Sequence, residues 1–289
     1  MKRVMSALVS VFAMLCMAVT SPLVMAKPAK TLPQVSVQLW SVKEDLAKDV
    51  DGTLTKLAEL GFAGVEFAGE FGKYADNPEA LKQKMDALGL TGSGAHVSFE
   101  QLNSDNIKQT VAFYRTLGVS YLIIGWDERA WDEKRIDEVV TLLNQAAEDL
   151  KAYDMQVGFH NHDHEFNTYQ NATFWDYIAR NTQGSVIMQQ DVGWTTYAGK
   201  DPVEYVKRYP GRTQTTHYKV VAKDKYPDLV PLIGEGATDW PALVSANIEV
   251  GGTHWLVVEQ EENPEGLTRM QAVEKSYQAL LTFLQQYQK

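Results

Sequence analysis

The sequence predicts an α/β fold, a single (β/α)8 TIM barrel, on three observations. Short apolar runs alternate with helical patterns eight times from Val35 onward, the pattern of a parallel sheet with helices packed outside it. No Pro/Ser-rich linker or low-complexity stretch interrupts them, so one domain is expected. Side chains that ligate metals or move protons recur at one place in the repeat, the strand ends, where a barrel builds its active site.

The strands are expected at Val35–Trp40, Gly64–Phe67, Gly92–Val97, Tyr121–Gly125, Gln156–Asn161, Val186–Asp191, Gln214–Lys219 and Trp255–Glu259. Helices are expected after them at Asp51–Leu60, Pro78–Ala87, Ser104–Leu117, Glu133–Tyr153, Thr173–Asn181, Pro202–Arg208, Trp240–Ala246 and Leu267–Gln286. Gly61 and Gly118 stand where a left-handed residue ends a helix. Asp201-Pro202 puts a capping residue before a proline at the first helical position. An open doubly wound sheet is the alternative, but that fold usually carries a glycine-rich phosphate loop after its first strand, and this chain has none there.

Residues 1–26 read as an export signal: Lys2 and Arg3 precede an apolar run from Val4 to Val19, and Val24-Met25-Ala26 is a small-residue cleavage pattern. The run is shorter than the ~20 residues of a spanning helix. Residues 27–289 are therefore expected as a periplasmic or secreted barrel domain with no membrane contact after cleavage. The single cysteine, Cys16, lies in the signal, which leaves the barrel without a disulfide or a thiol nucleophile. With 37 acidic against 27 basic residues the chain repels phosphate backbones, which argues against a nucleic-acid partner.

A buried parallel strand is nearly all apolar, yet Glu66, His96, His160, Asp191 and Glu259 end five of these, and His217 lies near the end of the seventh. Asp191, His217 and Glu259 come from consecutive strands, so they can converge above the barrel, and His160 on strand five extends the arc to four metal ligands. Mixed imidazole and carboxylate donors suit Mn²⁺ or Zn²⁺, with Co²⁺ or Fe²⁺ as further options, better than Ca²⁺. The run from Phe159 to Phe166 packs three of the six histidines together. On a strand His160 and His162 face the same side; His160 is expected as the ligand, His162 beside substrate, and Glu165 as the competing ligand.

At these residues the chain resembles the sugar phosphate isomerase/epimerase superfamily, with its xylose isomerase-like barrel. The blocks that carry the resemblance include Gln38-Leu39-Trp40-Ser41, Gly64-Val65-Glu66, Gly94-Ala95-His96-Val97-Ser98, Asp191-Val192-Gly193-Trp194, Gly234-Glu235-Gly236 and Val258-Glu259-Gln260-Glu261, across residues 33–287. The resemblance implies metal ligands at His160, Asp191, His217 and Glu259. Two departures stand out. His160 replaces the glutamate that many epimerases have on strand five, and Trp194 replaces an extra histidine ligand of the apurinic endonuclease branch.

The implied chemistry is abstraction of a proton next to a carbonyl, on a small-molecule sugar, with isomerisation, epimerisation or β-elimination from a 3-keto-glycoside as outcomes. The candidate bases are Glu259, His160 or His162, and Lys219, with Glu259 favoured because His160 leaves it without a glutamate partner on the opposite face. Glu66 and His96 are expected to bind or protonate substrate hydroxyls. Gln38, Trp40, Trp126 and Trp194 are expected to contact the sugar. Export favours an unphosphorylated substrate. The alternatives are a non-catalytic carbohydrate-binding barrel and an AP endonuclease-like hydrolase, the latter disfavoured by acidity and by Trp194.

Overall fold

The computed structural model describes residues 31–223 and 225–288; the expected export segment lies outside them. Among the described residues eight parallel strands form the barrel: β1 (Gln34–Gln38), β2 (Gly64–Phe67), β3 (Thr91–Val97), β4 (Tyr121–Ile124), β5 (Gln156–His160), β6 (Ile187–Gln189), β7 (Thr215–Tyr218) and β8 (Trp255–Val258). The sheet runs β6-β5-β4-β3-β2-β1-β8-β7. The pairing of β1 with β8, Val37 opposite Val258, rules out the open doubly wound alternative. Closure comes between β6 and β7, through one parallel bridge, Asp191 opposite His217, rather than a full ladder. His217 N–H donates to Gln190 O at 2.9 Å and Met188 N–H to Arg212 O at 2.7 Å across that seam.

The helices follow from their apolar spacing. In Ile136–Lys151 the buried residues Ile136, Val139, Leu143, Ala147 and Leu150 recur every three to four positions, which lays one face on the sheet. The last helix, Arg269–Tyr287, begins with a capping box between Thr268 and Gln271. Gly61 (φ 101°) and Gly118 (φ 78°) take the left-handed conformation expected of them. Asp201 accepts from Val203 N–H at 2.9 Å ahead of Pro202, as its sequence position indicates.

Three differences from the expected elements matter for the site. Strand β1 stops at Gln38, and Leu39–Val42 forms a 3₁₀ turn, so Trp40 leaves the barrel wall and stands at its mouth, 45% exposed. Strand β6 is shorter than expected, because Asp191 is the N-cap of a short helix, Val192–Tyr197, with Oδ1 accepting from Trp194 N–H at 2.8 Å. The histidine-rich run leaves β5 through a 3₁₀ turn, His164–Phe166, and a small hairpin of Thr168–Tyr169 against Ala172–Thr173.

Candidate metal centre and active site

The barrel interior carries its polar groups at the C-terminal ends of the strands. His160, Asp191, His217 and Glu259 are all buried, and each offers a donor atom within 4.8 Å of the others. Asp191 is placed by its capping bond and by Asn161, whose Oδ1 accepts from Asp191 N–H at 2.9 Å. The Nδ1 atom of His217 lies 2.9 Å from Glu259 Oε2 and 4.0 Å from Asp191 Oδ2, and His160 Nε2 lies 3.6 Å from the same Asp191 oxygen.

Below this cluster Glu66, with no exposed surface, ties the layer together. Its carboxylate accepts from Gln38 Nε2 at 2.9 Å, from Gln189 Nε2 at 2.8 Å and from His217 Nε2. Burial works against the charge, but the imidazoles of His217 and His96 outweigh it and hold the carboxyl well below the ordinary range. Glu66 is therefore an orienting anion and not the substrate contact expected of it, because its oxygens are engaged beneath the cavity. Gln189 Oε1 meets His160 Nδ1 at 3.0 Å and His96 Nε2 at 2.9 Å, which turns His160 Nε2 toward the cluster.

Burial alone would lower the His217 pKa, yet Glu66 and Glu259 raise it to about 10, so without metal both ring nitrogens carry protons. Lys219, also buried, lies 2.9 Å from Asp191 Oδ2, 2.7 Å from Glu259 Oε2 and 3.1 Å from Glu261 Oε1. Burial disfavours its ammonium, but Asp191, Glu259 and Glu261 raise its pKa. Burial also raises the Asp191 carboxyl, whereas Glu259, despite its burial, is held well below the usual range by Lys219 and His217.

This donor set fits a divalent cation. Four carboxylates, Glu66, Asp191, Glu259 and Glu261, face two cations, His217 and Lys219, which leaves an excess of negative charge inside the barrel. Asp191 Oδ2 points into the cluster, where its near neighbours are the ammonium of Lys219 and the imidazoles of His160 and His217. The Nε2–H of His217 points at a carboxylate, the arrangement that fixes a ligating histidine and frees its other nitrogen. A second trio, His96, His160 and His217, also lies close together, but it has no carboxylate and His96 Nε2 is committed to Gln189.

A cavity of about 480 Å³ opens over the cluster, lined by Gln38, Trp40, His96, Trp126, His162 and Glu261 among others. Trp40 and the 52% exposed Trp126 form its rim. Gln38 reaches the floor but is bonded to Glu66. His162 is neutral, its pKa lowered to about 3 by burial first and by the Lys219 charge second, and its buried Nδ1 has no hydrogen-bond partner. Trp194 does not line this cavity; it is buried behind His162, with ring centroids 5.6 Å apart, because the helix capped by Asp191 turns it away from the mouth. A larger cavity, about 590 Å³, lies beside the Val192–Tyr197 helix and meets the cluster through Lys219 alone; the converging polar groups mark the smaller one as the candidate site.

Glu165 lies outside the cluster of four. Its Oε2 accepts from His162 N–H at 2.9 Å, its Oε1 is buried without a partner, and burial raises its pKa to about 8. It is a neutral brace for the His162 backbone and not the competing ligand. Two further residues of the site, Gln189 and Glu261, carried a signal in the sequence: each stands two positions from a ligand, Asp191 or Glu259, the spacing that puts side chains on one face of a strand.

Fold and cluster together define an eight-stranded α/β barrel with four buried donors, able to hold a metal ion, at the C-terminal ends of its strands. A family model described as xylose isomerase-like TIM barrel matches residues 54–287, and the chain belongs to that family. Among curated proteins it is similar to the inosose dehydratase of Geobacillus kaustophilus, 23% identical over 253 residues, 74% of this chain and 80% of that one. Among solved structures it is similar to a sugar phosphate isomerase/epimerase from Parabacteroides distasonis, with a TM-score of 0.72 and 25% identity, over 89% of this chain and 99% of that one. The probable 3-DHS dehydratase of Bacillus anthracis shares the fold, at a TM-score of 0.64 and 13% identity, over 86% and 98% of the two chains.

Proposed function

We propose that this chain is a divalent-metal-dependent enzyme that removes a proton next to the carbonyl of a non-phosphorylated keto-sugar, with β-elimination from a 3-keto-glycoside as the favoured outcome and isomerisation as the second. The observation that carries this reading is the four-donor cluster at the floor of the cavity, with the His162 imidazole lining the same cavity beside it. When bound, the metal stabilises the negative charge that develops on the carbonyl oxygen.

His162 is the base in this reading, because it is an uncharged imidazole of the cavity lining outside the four-donor cluster, and negative charge developing on a substrate beside it would offset the burial that lowers its pKa. Glu259, favoured from sequence, is better used as a ligand, since its Oε2 already accepts from Lys219 and contacts His217. One base suffices for elimination: it takes the proton at C2 while the substituent at C1 departs. Trp40 and Trp126 line the cavity and offer apolar surface to a sugar ring. The cavity lining includes Glu259 and Glu261 and no lysine or arginine among the described residues, which favours an uncharged sugar over a sugar phosphate. The dehydratase names among the relatives support elimination, a reaction that removes water or another leaving group.

Two variants separate base from ligand. His162→Gln is expected to keep its metal and lose roughly 10²–10⁴-fold in kcat for aglycone release. Glu259→Gln is expected to lose metal as well as turnover. Elemental analysis alongside aglycone release from a 3-keto-β-glucoside checks both; a His162→Gln enzyme with near-normal turnover removes His162 from the role.

We propose further that residues 1–26 direct export, on the strength of the Lys2-Arg3 start, the apolar run and the cleavage pattern. Expression of the full chain in an export-competent bacterium should give a mature N-terminus at Lys27 by intact-mass measurement. An uncleaved chain would count against it.

A further inference from the structure

Building on the metal reading above, we infer that Lys219 holds the place of the cation in the metal-free chain, and that Glu261 is the position its ammonium moves to when a divalent metal enters. The pair thereby sets the metal affinity of the site. Lys219 Nζ lies against Asp191 Oδ2 at 2.9 Å and Glu259 Oε2 at 2.7 Å, oxygens of two members of the four-donor cluster. A dication bound there takes the same lone pairs, at about 2.0–2.2 Å for Zn²⁺ and carboxylate oxygen. An ammonium and a dication a few ångströms apart in a buried setting repel strongly.

The lysine has somewhere to go. Glu261 Oε1 is 3.1 Å from Nζ, its side chain is 24% exposed, and it lines the catalytic cavity rather than the ligand cluster. The stem of Lys219 is held, since a Cβ built on Gly193 would stand 2.7 Å from Lys219 Cγ. Rotation is thus confined to the outer bonds of the side chain, which carries Nζ away from Asp191 toward Glu261 without unpacking the stem. The spacing supports the same arrangement. In the register of β7 and β8 Tyr218 stands opposite Val258, so Lys219 follows level with the ligand Glu259, and Glu261 lies two residues further along toward the cavity. Lys219 and Glu261 act here as positioning residues for the metal.

The test measures metal binding rather than turnover. Metal-free wild type, Lys219→Met, Glu261→Gln and the double variant are titrated with Zn²⁺ and Mn²⁺ by calorimetry. Lys219→Met is expected to bind on the order of tenfold more tightly or better, because the competing charge is gone. Glu261→Gln is expected to bind several-fold more weakly than wild type, and to have no effect beyond about twofold in the Lys219→Met background, as coupled residues do in a double-mutant cycle. A crystal structure of wild type soaked with Zn²⁺ needs no variant to fold, and should show Nζ on Glu261 and beyond hydrogen-bonding distance of Asp191 Oδ2. Metal bound with Nζ still on both oxygens, an unchanged or weaker Lys219→Met affinity, or an equal Glu261→Gln effect in both backgrounds overturns the inference while leaving the metal reading intact. No binding of either metal to wild type overturns both.

Discussion

Glu165 shows how burial decides the chemistry of a single residue. It sits among histidines and aspartates, within reach of the cluster by sequence, yet burial raises its pKa from 4.5 to about 8, which keeps it neutral. The sign of the linkage follows. The folded chain holds this proton more tightly than the unfolded chain, so the stability it contributes is complete below about pH 4.5 and is lost as pH rises through about 8. Between those limits the slope approaches about 1.4 kcal/mol per pH unit. Urea unfolding in the presence of a chelator should show wild type losing this component while Glu165→Gln, an uncharged isostere, does not; parallel pH profiles for the two proteins would contradict the burial argument. At this scale the convergence of His160, Asp191, His217 and Glu259 was legible in the sequence, because a titratable side chain in a strand that should be apolar is visible one residue at a time. It misplaced Glu66, because that carboxylate's partners come from distant strands: Glu66 meets His217 across 151 residues. Glu165 and Trp194 it misplaced for local reasons, the bond from the His162 N–H and the short helix that Asp191 caps.

At the scale of elements, strand packing controls the cluster. Strand β3 passes Glu66 at Gly94, where an added Cβ would lie 2.7 Å from Glu66 Oε2. Gly94→Ala is therefore expected to displace the Glu66 carboxylate from Gln189 and, through it, to loosen His217. The cost is about 1–3 kcal/mol of stability from overpacking, with metal affinity down roughly 10–100-fold, the usual penalty for losing an orienting carboxylate. Chemical denaturation and metal titration of the same variant check the two effects; a stability loss with unchanged metal affinity would show that Glu66 does not orient the ligands. The helices were legible because their apolar spacing and caps are local: Pro202–Arg208 and Trp240–Ala246 match their expected bounds. The Val192–Tyr197 helix was not, since six residues with no amphipathic repeat reveal themselves only through the Asp191 cap. That one miss accounts for the position of Trp194.

For the whole molecule, eightfold alternation was enough to predict the barrel, while its weakest seam was not visible in any strand pattern. The seam between β6 and β7 is held by the Asp191–His217 bridge, so two of the proposed metal ligands also close the barrel. A cation held there would join the last gap in the sheet while assembling the site, which links the fold to the proposed chemistry. The proposed activity of the cavity above this cluster is removal of a proton next to a sugar carbonyl. The most direct measurement is NMR of a 3-keto-β-glucoside incubated in D₂O with metal-loaded protein, with a chelated sample beside it. Aglycone release with loss of the C2 proton signal is expected, both abolished by the chelator and restored by Mn²⁺ or Zn²⁺. Aglycone release with the C2 proton fully retained, or no exchange at all from protein carrying a full complement of metal, would contradict it.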